Sequence, residues 1–360
     1  MTRQVTEDQV GERIEAIRRR PQRFRDERVT MAHGAGGKAS RALEEGLIVP
    51  LLDNPALATL SDAALLAVGR ERLAFTTDAF VVRPISFPGG SIGELAVNGT
   101  INDLAVSGAR PVALSAALIL EEGLSAEVLS AQVEAMARAA RTAGVPVVAG
   151  DTKVVERGKC DQMYIVTTGV GVVAPETQLA ADRVRAGDKV LVSGTIGDHG
   201  VAIMLARGEL DIEADVHSDT RSLWDLVREV LARCGTGVHC MRDATRGGVA
   251  TVLNEIAMAA EVGVVIAEER VPMRPEVIGA GEILGIDPLY VANEGKLVAF
   301  VAPERADAAL AAMRATPAGV AAAIIGEVRD EPPGRVLGRT AFGGHRMIDV
   351  LVGDPLPRIC

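Results

Sequence analysis

The chain has 360 residues, of which 48% are hydrophobic and 24% are charged, and its formal net charge is -10. This balance is typical of a folded protein of two domains and excludes an intrinsically disordered chain. The acidic charge argues against nucleic acid as a partner, because phosphate backbones require a basic surface. No apolar run reaches the ~20 residues that span a bilayer, and the polar N-terminus is unlike a signal peptide. We therefore expect a cytoplasmic protein, without contact to a membrane, whose partners are small molecules or other proteins.

Residues 1–28 form an N-terminal extension in our interpretation. Acidic and basic residues alternate between Glu7 and Arg20 around three apolar residues at helical spacing. This pattern predicts a short, mostly solvated helix that ends at Pro21. We expect the extension to be an appendage to the first domain.

A glycine-rich segment, HGAGGK, follows at residues 33–38. Gly36 and Gly37 would let backbone N–H groups approach phosphate oxygens closely, and Lys38 adds an ammonium group where a helical pattern begins. The spacing is not that of a Walker A loop. Taken alone, the segment is equally well explained as a flexible loop.

Acidic residues recur at the ends of apolar or helical runs. Asp62 precedes the run 63–68, Asp78 follows 73–77, Asn102 and Asp103 lie in the helical stretch 92–107, and Asp151 follows 145–150. Four carboxylates that converge on one edge of a sheet would suit Mg²⁺ together with nucleotide phosphates. For any single aspartate, a turn or a helix N-cap is the simpler explanation. The set favours a metal site because most of its members do not introduce an obvious hairpin.

Strand and helix patterns alternate from residue 112 to residue 173. We predict strands at 112–120, 145–149 and 162–173 and a helix at 125–143. A predicted loop, residues 150–158, carries Lys153 two positions after Asp151. This lysine could contact a phosphoryl group or transfer a proton, and an ordinary surface lysine is the alternative.

Polar, glycine-bearing residues at 182–187 mark a domain boundary, and a second set of helices and strands follows. Glu294 precedes a glycine and a predicted strand at 297–301, and it is either a candidate base or an exposed glutamate without a role. No Rossmann fingerprint follows a strand. The predicted helices are 218–233, 249–260 and 303–313, and the other predicted strands are 189–193, 323–328, 335–339 and 346–352. The fold class is therefore α/β in the first half plus α+β in the second.

The four cysteines, Cys160, Cys234, Cys240 and Cys360, are too few and too scattered for a disulfide scaffold. Cys234 and Cys240, with His239 beside the second, could be metal ligands, although their spacing matches no usual zinc pattern. Ordinary core or surface thiols are the alternative.

Cys360 is the final residue and follows two prolines, Pro355 and Pro357. Prolines fix φ and remove backbone donors, so this tail cannot join a helix or a central strand. The pattern predicts a semi-rigid arm that carries a thiol, with an ordinary frayed terminus as the alternative. Prenylation is excluded because its signal places three residues after the cysteine.

Nine short motifs occur along the chain from residue 33 to its end. They are HGAGGK at 33–38, TTD at 76–78, PGGSIG at 88–93, GTINDLA at 99–105, GDTKVV at 150–155, GDHG at 197–200, RDATRGG at 242–248, NEG at 293–295 and PRIC at 357–360. Together these motifs resemble the HypE family of hydrogenase maturation factors. GDTKVV and PRIC are specific in combination, whereas the scattered acids are shared by the wider superfamily of aminoimidazole ribonucleotide synthetase-like ATP enzymes. Residues 1–28 depart from the pattern of the family.

The resemblance implies a two-domain PurM-like fold. An N-terminal α/β domain for ATP binding and dimerisation would span residues 29–181, a C-terminal α+β domain residues 182–345, and a flexible tail with the reactive cysteine residues 346–360. It implies a homodimer, formed through the N-terminal sheets. It also implies that the carbamoyltransferase HypF loads a carbamoyl group onto Cys360, and that the enzyme uses ATP and Mg²⁺ to dehydrate this group to a thiocyanate. The cyanide would pass to iron on the HypC–HypD complex for the active site of [NiFe]-hydrogenase.

Residue roles follow from the resemblance and from the chemistry. An amide oxygen leaves only after it has been phosphorylated, which requires a metal on the triphosphate, charge-neutralising donors and a base. Lys153 and Glu294 would stabilise the phosphoryl group and remove protons, in an order that we leave open. Asp62, Asp78, Asp103 and Asp151 would bind metal and nucleotide, Asn102 would join the nucleotide site, and Gly36, Gly37 and Lys38 would cover the phosphates.

Two other functions remain open from the sequence. A small-molecule synthetase or kinase of the same superfamily would leave Cys360 incidental. A non-catalytic thiol carrier or metallochaperone would use Cys360 together with Cys234, Cys240 and His239.

Overall fold

The computed structural model of the chain describes residues 24–208, 214–351 and 358–360. The helix predicted within residues 1–23 lies outside these ranges. Residues 24–30 form neither helix nor strand. Among the described helices, none is both long and apolar enough to cross a membrane.

The first half of the chain builds one five-stranded sheet and a short two-stranded ribbon. Its strands are β1 (Ala64–Val68), β2 (Glu71–Phe80), β3 (Ser86–Phe87), β4 (Gly90–Ser91), β5 (Ala109–Glu121), β6 (Val147–Val155) and β7 (Met163–Val173). The sheet order is β1-β2-β7-β5-β6, and β3 pairs with β4. Only β5 and β6 are parallel in this sheet. The helix Ala126–Ala143 makes the long crossover that a parallel pair requires.

The helix Ile92–Val106 is the element that joins the two halves. All of its residues except Glu94 and Asp103 are buried, as expected for a helix that is covered on every side. It packs on β2, β5 and β7, and its other side contacts β9 (Val238–Asp243) and the helix Trp224–Cys234 of the second half. Asp103 therefore lies where the two domains meet.

The second half builds a seven-stranded sheet with helices on both faces. Its other strands are β8 (Lys189–Val192), β10 (Gly263–Ala267), β11 (Leu297–Val301), β12 (Ala323–Arg329), β13 (Arg335–Arg339) and β14 (His345–Ile348). The order is β14-β13-β10-β12-β8-β11-β9, and only β10 and β13 are parallel. All five residues of β11 are buried, because apolar clusters cover both of its faces. The remaining helices are Lys38–Leu43, Val49–Leu52, Asp198–Ala206, Gly248–Ala260, Pro275–Leu284 and Ala306–Arg314.

Three predicted segments differ from the structure. Residues 150–155 are part of β6 rather than a loop, and the backbone at Gly150 passes so close to β5 that a Cβ there would lie 2.6 Å from the carbonyl oxygen of Ala116. The helix predicted from residue 218 begins at Trp224, because residues 218–223 form contacts across the domains instead. Residues 346–348 belong to β14 and pair with β13, so they are part of the second sheet and not of the tail.

The end of the tail is docked against the body of the protein. Val81 donates its backbone N–H to the carbonyl oxygen of Cys360 at 3.0 Å, and His199 Nε2 donates to that of Ile359 at 2.7 Å. Arg358 forms an ion pair with Asp161 at 2.7 Å. Ile359 is only 2% exposed. The arm predicted from the prolines therefore ends in a fixed position in this conformation.

A buried ion pair fixes the segment that precedes β11. Lys296 Nζ and Asp219 Oδ2 are 2.9 Å apart, and the two side chains are 6% and 3% exposed. Although burial alone would raise the pKa of Asp219, the charge of Lys296, together with hydrogen bonds from the Glu294 N–H and from Lys296, outweighs it and the pKa is lowered. The pair's contribution to stability is therefore present at neutral pH and is lost as the pH falls through this lowered pKa.

Replacement of this lysine should destabilise the second domain. In Lys296→Met, the Asp219 carboxylate stays buried without its partner, and we expect the free energy of unfolding to fall by about 3–5 kcal/mol. The exposed pair Arg339–Glu269 offers a matched control, for which Arg339→Met should leave the free energy of unfolding nearly unchanged. Urea denaturation at pH 7 measures both, and equal losses in the two variants would contradict the prediction.

Candidate active site

Carboxylates from both domains converge at the junction beside the helix Ile92–Val106. The Thr76 hydroxyl lies 2.9 Å from Asp103 Oδ2 and 2.8 Å from the backbone oxygen of Asp62, which brings β2, this helix and the start of β1 together. Burial, followed by the charges of Asp243, Asp78 and Asp62, raises the pKa of Asp103 well above its usual value. The structure therefore brings together Asp62, Asp78 and Asp103, as the sequence predicts.

Asp243 is an acid of this cluster that our sequence analysis missed. It is 7% exposed at the end of β9, and burial and the charges of Asp62 and Asp78 raise its pKa well above the usual range. The signal was present in the RDATRGG motif, but an aspartate that follows a strand is more often a cap. Its position became visible only once β9 was placed beside the helix Ile92–Val106.

Glu294 is the fifth acid of the cluster. It is 3% exposed, and within the described structure its Oε1 atom is buried without a hydrogen-bond partner. Burial and the charges of Asp78, Asp243 and Asp219 raise its pKa well above that of an ordinary glutamate. A carboxylate with a raised pKa is a stronger base, and its unpaired oxygen has the capacity to accept one further hydrogen bond.

The segment around Glu294 is rigidly held. The backbone N–H of Glu294 donates to Asp219 at 2.9 Å, and its carbonyl oxygen accepts from Asn102 Nδ2 at 3.2 Å. Asn102 also donates to the Arg221 carbonyl and accepts from the Leu223 N–H, and it is 1% exposed. Its amide therefore holds the two domains together beneath the cluster, whereas we had assigned it to nucleotide contact.

The acid cluster fits a bound cation. Burial raises the pKa values of Asp62 and Asp78, and after burial and the charge of Asp243 their own charges raise the pKa of Asp103 further, which shows that these negative charges repel where solvent screening is weak. Within the described ranges, no three histidine, cysteine, aspartate or glutamate side chains are arranged to hold a metal by themselves. Mg²⁺ characteristically takes a few carboxylates and completes its coordination with water and phosphate oxygens. These residues would thus hold it together with a nucleotide.

Two arginines from the RDATRGG motif face the cluster. Arg242 forms an ion pair with Asp62. Burial alone would lower the pKa of Arg242, but the negative charge of Asp62 raises it. Arg246 donates from Nη1 to the carbonyl oxygen of Gly34 at 2.9 Å. The charges of Cys360, Asp78 and Glu294 raise the pKa of Arg246. The site is therefore not purely acidic, and its cations come from residues that the sequence analysis did not single out.

The glycine-rich segment closes one side of this site. Gly36 has a φ of +73°, and a Cβ there would lie 3.2 Å from the Arg246 carbonyl oxygen, so glycine suits this close approach. His33 fixes the start of the segment, because its Nδ1 accepts from the Thr30 N–H and its Nε2 lies 2.9 Å from Asp26. Gly37 precedes the first helical residue, as predicted.

Lys38 lies apart from the acid cluster in this conformation. Its ammonium is 3.4 Å from Asp349, and its backbone N–H donates to the carbonyl oxygen of Leu351. Both side chains of the ion pair are more than 40% exposed. The lysine therefore links the glycine-rich segment to the residues that lead into the tail.

Asp151 and Lys153 do not lie with the other acids within one chain. Asp78 is paired across the sheet with Thr167, Thr167 with Ala116, and Ala116 with Gly150, which places β6 three strand spacings from β2, about 14 Å. Asp151 and Lys153 pair with each other at 2.7 Å and are 61% and 69% exposed. This corrects our expectation that four carboxylates share one edge, because β6 is the outermost strand of the sheet.

The terminal cysteine lies in a cavity at the site. The cavity has a volume of about 120 Å³ and is lined by Gly34, Ala35, Arg246, Gly247 and Cys360, among others. It thus brings the glycine-rich segment, the RDATRGG motif and the end of the chain together. A larger cleft of about 950 Å³ lies between the helix Ala126–Ala143 and the strands β5 and β6, where the lining is mostly apolar and the acid cluster is absent.

The proposed metal ligands of a thiol carrier are engaged elsewhere. Cys234 and Cys240 are buried, with their sulfur atoms directed to the backbone oxygens of Arg305 and Met241. Burial raises the pKa of Cys240 to about 12. His239 Nδ1 forms a hydrogen bond of 2.7 Å with Asp188 Oδ2 in the core. These groups do not form a site with Cys360.

Comparison with known proteins supports the interpretation of the fold. Residues 60–173 match the family model of the AIR synthase related protein, N-terminal domain, and residues 185–338 match that of its C-terminal domain. The predicted two-domain PurM-like fold is confirmed by these matches.

Full-length relatives are similar to this chain over nearly their whole length. A carbamoyl dehydratase HypE from Rhodobacter capsulatus is 54% identical, covering 94% of this chain and 99% of the relative. A chain in the crystal structure of a HypE–HypF complex is 44% identical with a TM-score of 0.82, covering 86% of this chain and 100% of that chain. A structure of HypE in complex with ATP is 47% identical with a TM-score of 0.78, covering 92% and 100%. The chain belongs to the HypE family of carbamoyl dehydratases, within the AIR synthase-related proteins.

Proposed function

We propose that this protein is an ATP-dependent carbamoyl dehydratase whose substrate is its own C-terminus. A carbamoyl group on the thiol of Cys360 is converted to a thiocyanate, which supplies the cyanide ligand for the iron of [NiFe]-hydrogenase. The observation that carries this proposal is the position of Cys360, in one cavity with the glycine-rich segment and Arg246. A relative that is 54% identical has the same activity in its name, and one that is 47% identical was solved with ATP.

The reaction removes one molecule of water from the carbamoyl group. The carbamoyl oxygen accepts the γ-phosphoryl group as its bond to ADP breaks, and one N–H proton goes to a base. The C–O bond then breaks, phosphate leaves with the second N–H proton, and the carbon–nitrogen triple bond forms. The net products are thiocyanate, ADP, phosphate and one proton. Phosphorylation is needed because an unmodified amide oxygen is a poor leaving group.

The acid cluster and the glycine-rich segment form the nucleotide side of the site. Asp62, Asp78 and Asp103 would hold Mg²⁺, and Asp243 joins them because it shares their buried environment. When bound, the ion neutralises phosphate charge and orients the transferring group. Gly36 and Gly37 lie on the adjacent side, where the Gly36 N–H is donated to Ser40 Oγ at 2.9 Å in this conformation and would have to turn to a phosphate oxygen.

Glu294 serves as the base in this proposal. Its buried, unpaired Oε1 atom and its raised pKa suit it to take a proton from the carbamoyl nitrogen. Its backbone N–H donates to Asp219 and its carbonyl oxygen accepts from Asn102, and these two hydrogen bonds keep it in place while the tail enters. Because the base is already positioned, proton transfer does not depend on a diffusional encounter.

The protein acts as a homodimer in this proposal, paired through its N-terminal sheets. Apolar side chains on the strands of this sheet are strongly exposed in one chain, with Phe75 at 47%, Val68 at 55% and both Val148 and Val154 at 66%. Burial of such a patch is favourable, and an exposed edge strand such as β6 invites pairing. Lys153 and Asp151 lie on this strand, so a second copy offers them a route to an active site that they do not reach in their own chain.

Two partners act before and after the dehydration, one to deliver the carbamoyl group and one to receive the cyanide. HypF, the carbamoyltransferase, loads the thiol, as supported by the 44% identical chain that was solved in a HypE–HypF complex. We propose that the HypC–HypD complex receives the cyanide. The tail must leave its docked position to meet either partner, and residues 352–357, which include both tail prolines, connect it to the body. We place these exchanges in the cytoplasm.

Neither alternative function gains support from a particular observation. A free small-molecule substrate would leave the ordered contacts of Cys360 without a purpose. A metallochaperone would require the buried cysteines and His239 to move out of the core.

Removal of one carboxylate from the cluster should weaken binding of the nucleotide. Asp78→Asn keeps the shape of the side chain but removes a charge that would face the metal, so we expect Mg-ATP affinity to fall by about 10-fold or more, in the range of altered metal sites. Asp225→Asn, on an exposed aspartate 73% accessible, is the control and should bind normally. Isothermal titration calorimetry measures both, and unchanged affinity in Asp78→Asn would remove this carboxylate from the metal site.

Loss of the base should separate binding from chemistry. In Glu294→Gln, ATP binding and carbamoylation of Cys360 should persist, while the rate of dehydration falls by about 10²–10⁴-fold, the usual share of general base catalysis. Glu327→Gln changes a partly exposed glutamate outside the acid cluster, which pairs with Lys189 and Arg329, and should leave the rate intact. Single-turnover assays of the loaded protein give the rate, and a normal rate in Glu294→Gln would assign the base to another residue.

A further inference from the structure

We infer that Arg246 is a catalytic residue, whose guanidinium stabilises the phosphoryl group while it passes to the oxygen held at Cys360. This inference rests on the proposed function and adds to it a cation to which the sequence analysis gave no role, although it lies in the RDATRGG motif. It concerns the transfer step itself rather than binding of the nucleotide.

The backbone of Arg246 is fixed by the turn that opens the helix Gly248–Ala260. Gly247 and Gly248 adopt φ values of +74° and +61°, in the region that favours glycine. A Cβ on Gly248 would lie 2.5 Å from the carbonyl oxygen of Leu289, so the turn is pressed against the neighbouring segment. The arginine therefore projects from an anchored position, as a group that must meet a transition state should.

The guanidinium of Arg246 lies where the glycine-rich segment, the RDATRGG turn and the end of the tail meet. Its Nη1 atom donates to the carbonyl oxygen of Gly34 at 2.9 Å. Gly36 lies so close that a Cβ added to it would be 3.2 Å from the carbonyl oxygen of Arg246. Both glycines belong to the segment assigned to the phosphates. Arg246 also lines the cavity that contains Cys360. A phosphoryl group passing from the glycine-rich segment to the tail would travel beside this side chain.

The charges around Arg246 keep it positive while leaving it accessible. Cys360 is the largest contributor to its raised pKa, and Asp78 and Glu294 add to it. The side chain is solvent-exposed, whereas that of Arg242 is only 16% exposed and is paired with Asp62. The cleft thus has one arginine that is committed to a carboxylate and a second that is open to an incoming anion.

The lysines assigned from the sequence do not occupy this place in one chain. Lys38 pairs with Asp349, and Lys153 pairs with Asp151 on the far strand of the sheet. Phosphoryl transfer spreads negative charge over three equatorial oxygens, and a planar guanidinium with several donors matches two of them at once. Arg246 is placed to provide this match, with the carbamoyl oxygen as acceptor and ADP as leaving group.

The test compares Arg246→Gln with Arg246→Lys and with Arg339→Gln, a surface control that pairs only with Glu269 among the described residues. We expect Arg246→Gln to lower the rate of dehydration by about 10²–10³-fold, as for other lost charge-stabilising donors. Its affinity for ATP should change by no more than about threefold, because the contact forms in the transition state. Arg246→Lys should restore part of the rate, and Arg339→Gln should behave as the unsubstituted protein.

A binding measurement separates a catalytic role from a structural one. ADP with aluminium fluoride mimics the transferring phosphoryl group, so Arg246→Gln should lose about 10²-fold in affinity for this complex while it binds ADP normally. Equal weakening of both ligands, or a rate within about threefold of the unsubstituted protein, would overturn the inference. If the unsubstituted protein itself leaves the carbamoylated tail unchanged, the proposed function fails instead, and the two failures are thus distinguished.

Discussion

The mutual repulsion of buried carboxylates at the domain junction is the constraint on which this structure depends. Burial raises the pKa values of all five acids, Asp62, Asp78, Asp103, Asp243 and Glu294, and the charges of Asp62 and Asp78 raise those of Asp103 and Asp243 further. Such a cluster is costly unless a cation or a proton compensates it. The helix Ile92–Val106 is buried by both domains and holds the cluster together. The arrangement suits a cation, and in the proposed function a Mg²⁺ ion bound to the nucleotide would meet that requirement.

Docking of the tail beside this cluster turns a general nucleotide site into one that acts on its own chain. His199 is fully buried and its pKa is lowered by burial, so its neutral imidazole can donate to the Ile359 carbonyl while its other nitrogen accepts from Ser218. Backbone bonds from Val81 and the Arg358–Asp161 pair align the last three residues. Intramolecular placement of this kind replaces a bimolecular encounter and lowers the entropic part of the barrier.

Much of the fold and part of the site could be predicted from the sequence. The strand at 297–301 was predicted from a continuous apolar run, and the helix predicted at 125–143 from its amphipathic pattern lies at Ala126–Ala143. Asp62 and Asp78 were identified from their place at the ends of strand-like runs, and Asp103 from its helical stretch. The sequence analysis did not predict the roles of Asp243 and Arg246 or the supporting role of Asn102. Each role depends on contacts between segments more than 100 residues apart. The position of Asp151 was misjudged because strand order in a sheet is not encoded in local pattern. We predicted a loop for the GDTKVV segment because glycine, aspartate and lysine are uncommon in strands. Its pairing with β5 overrides this local preference.

The central claim is that the thiol of Cys360 carries the group that is dehydrated. Mass spectrometry of the C-terminal peptide tests it most directly, after incubation with the carbamoylating partner, carbamoyl phosphate and ATP. The account predicts a carbamoylated peptide that loses one molecule of water only when ATP and magnesium are present, with the modification on Cys360. A peptide that stays carbamoylated while ATP is consumed, or a protein that carries no modification on this cysteine, would contradict the account.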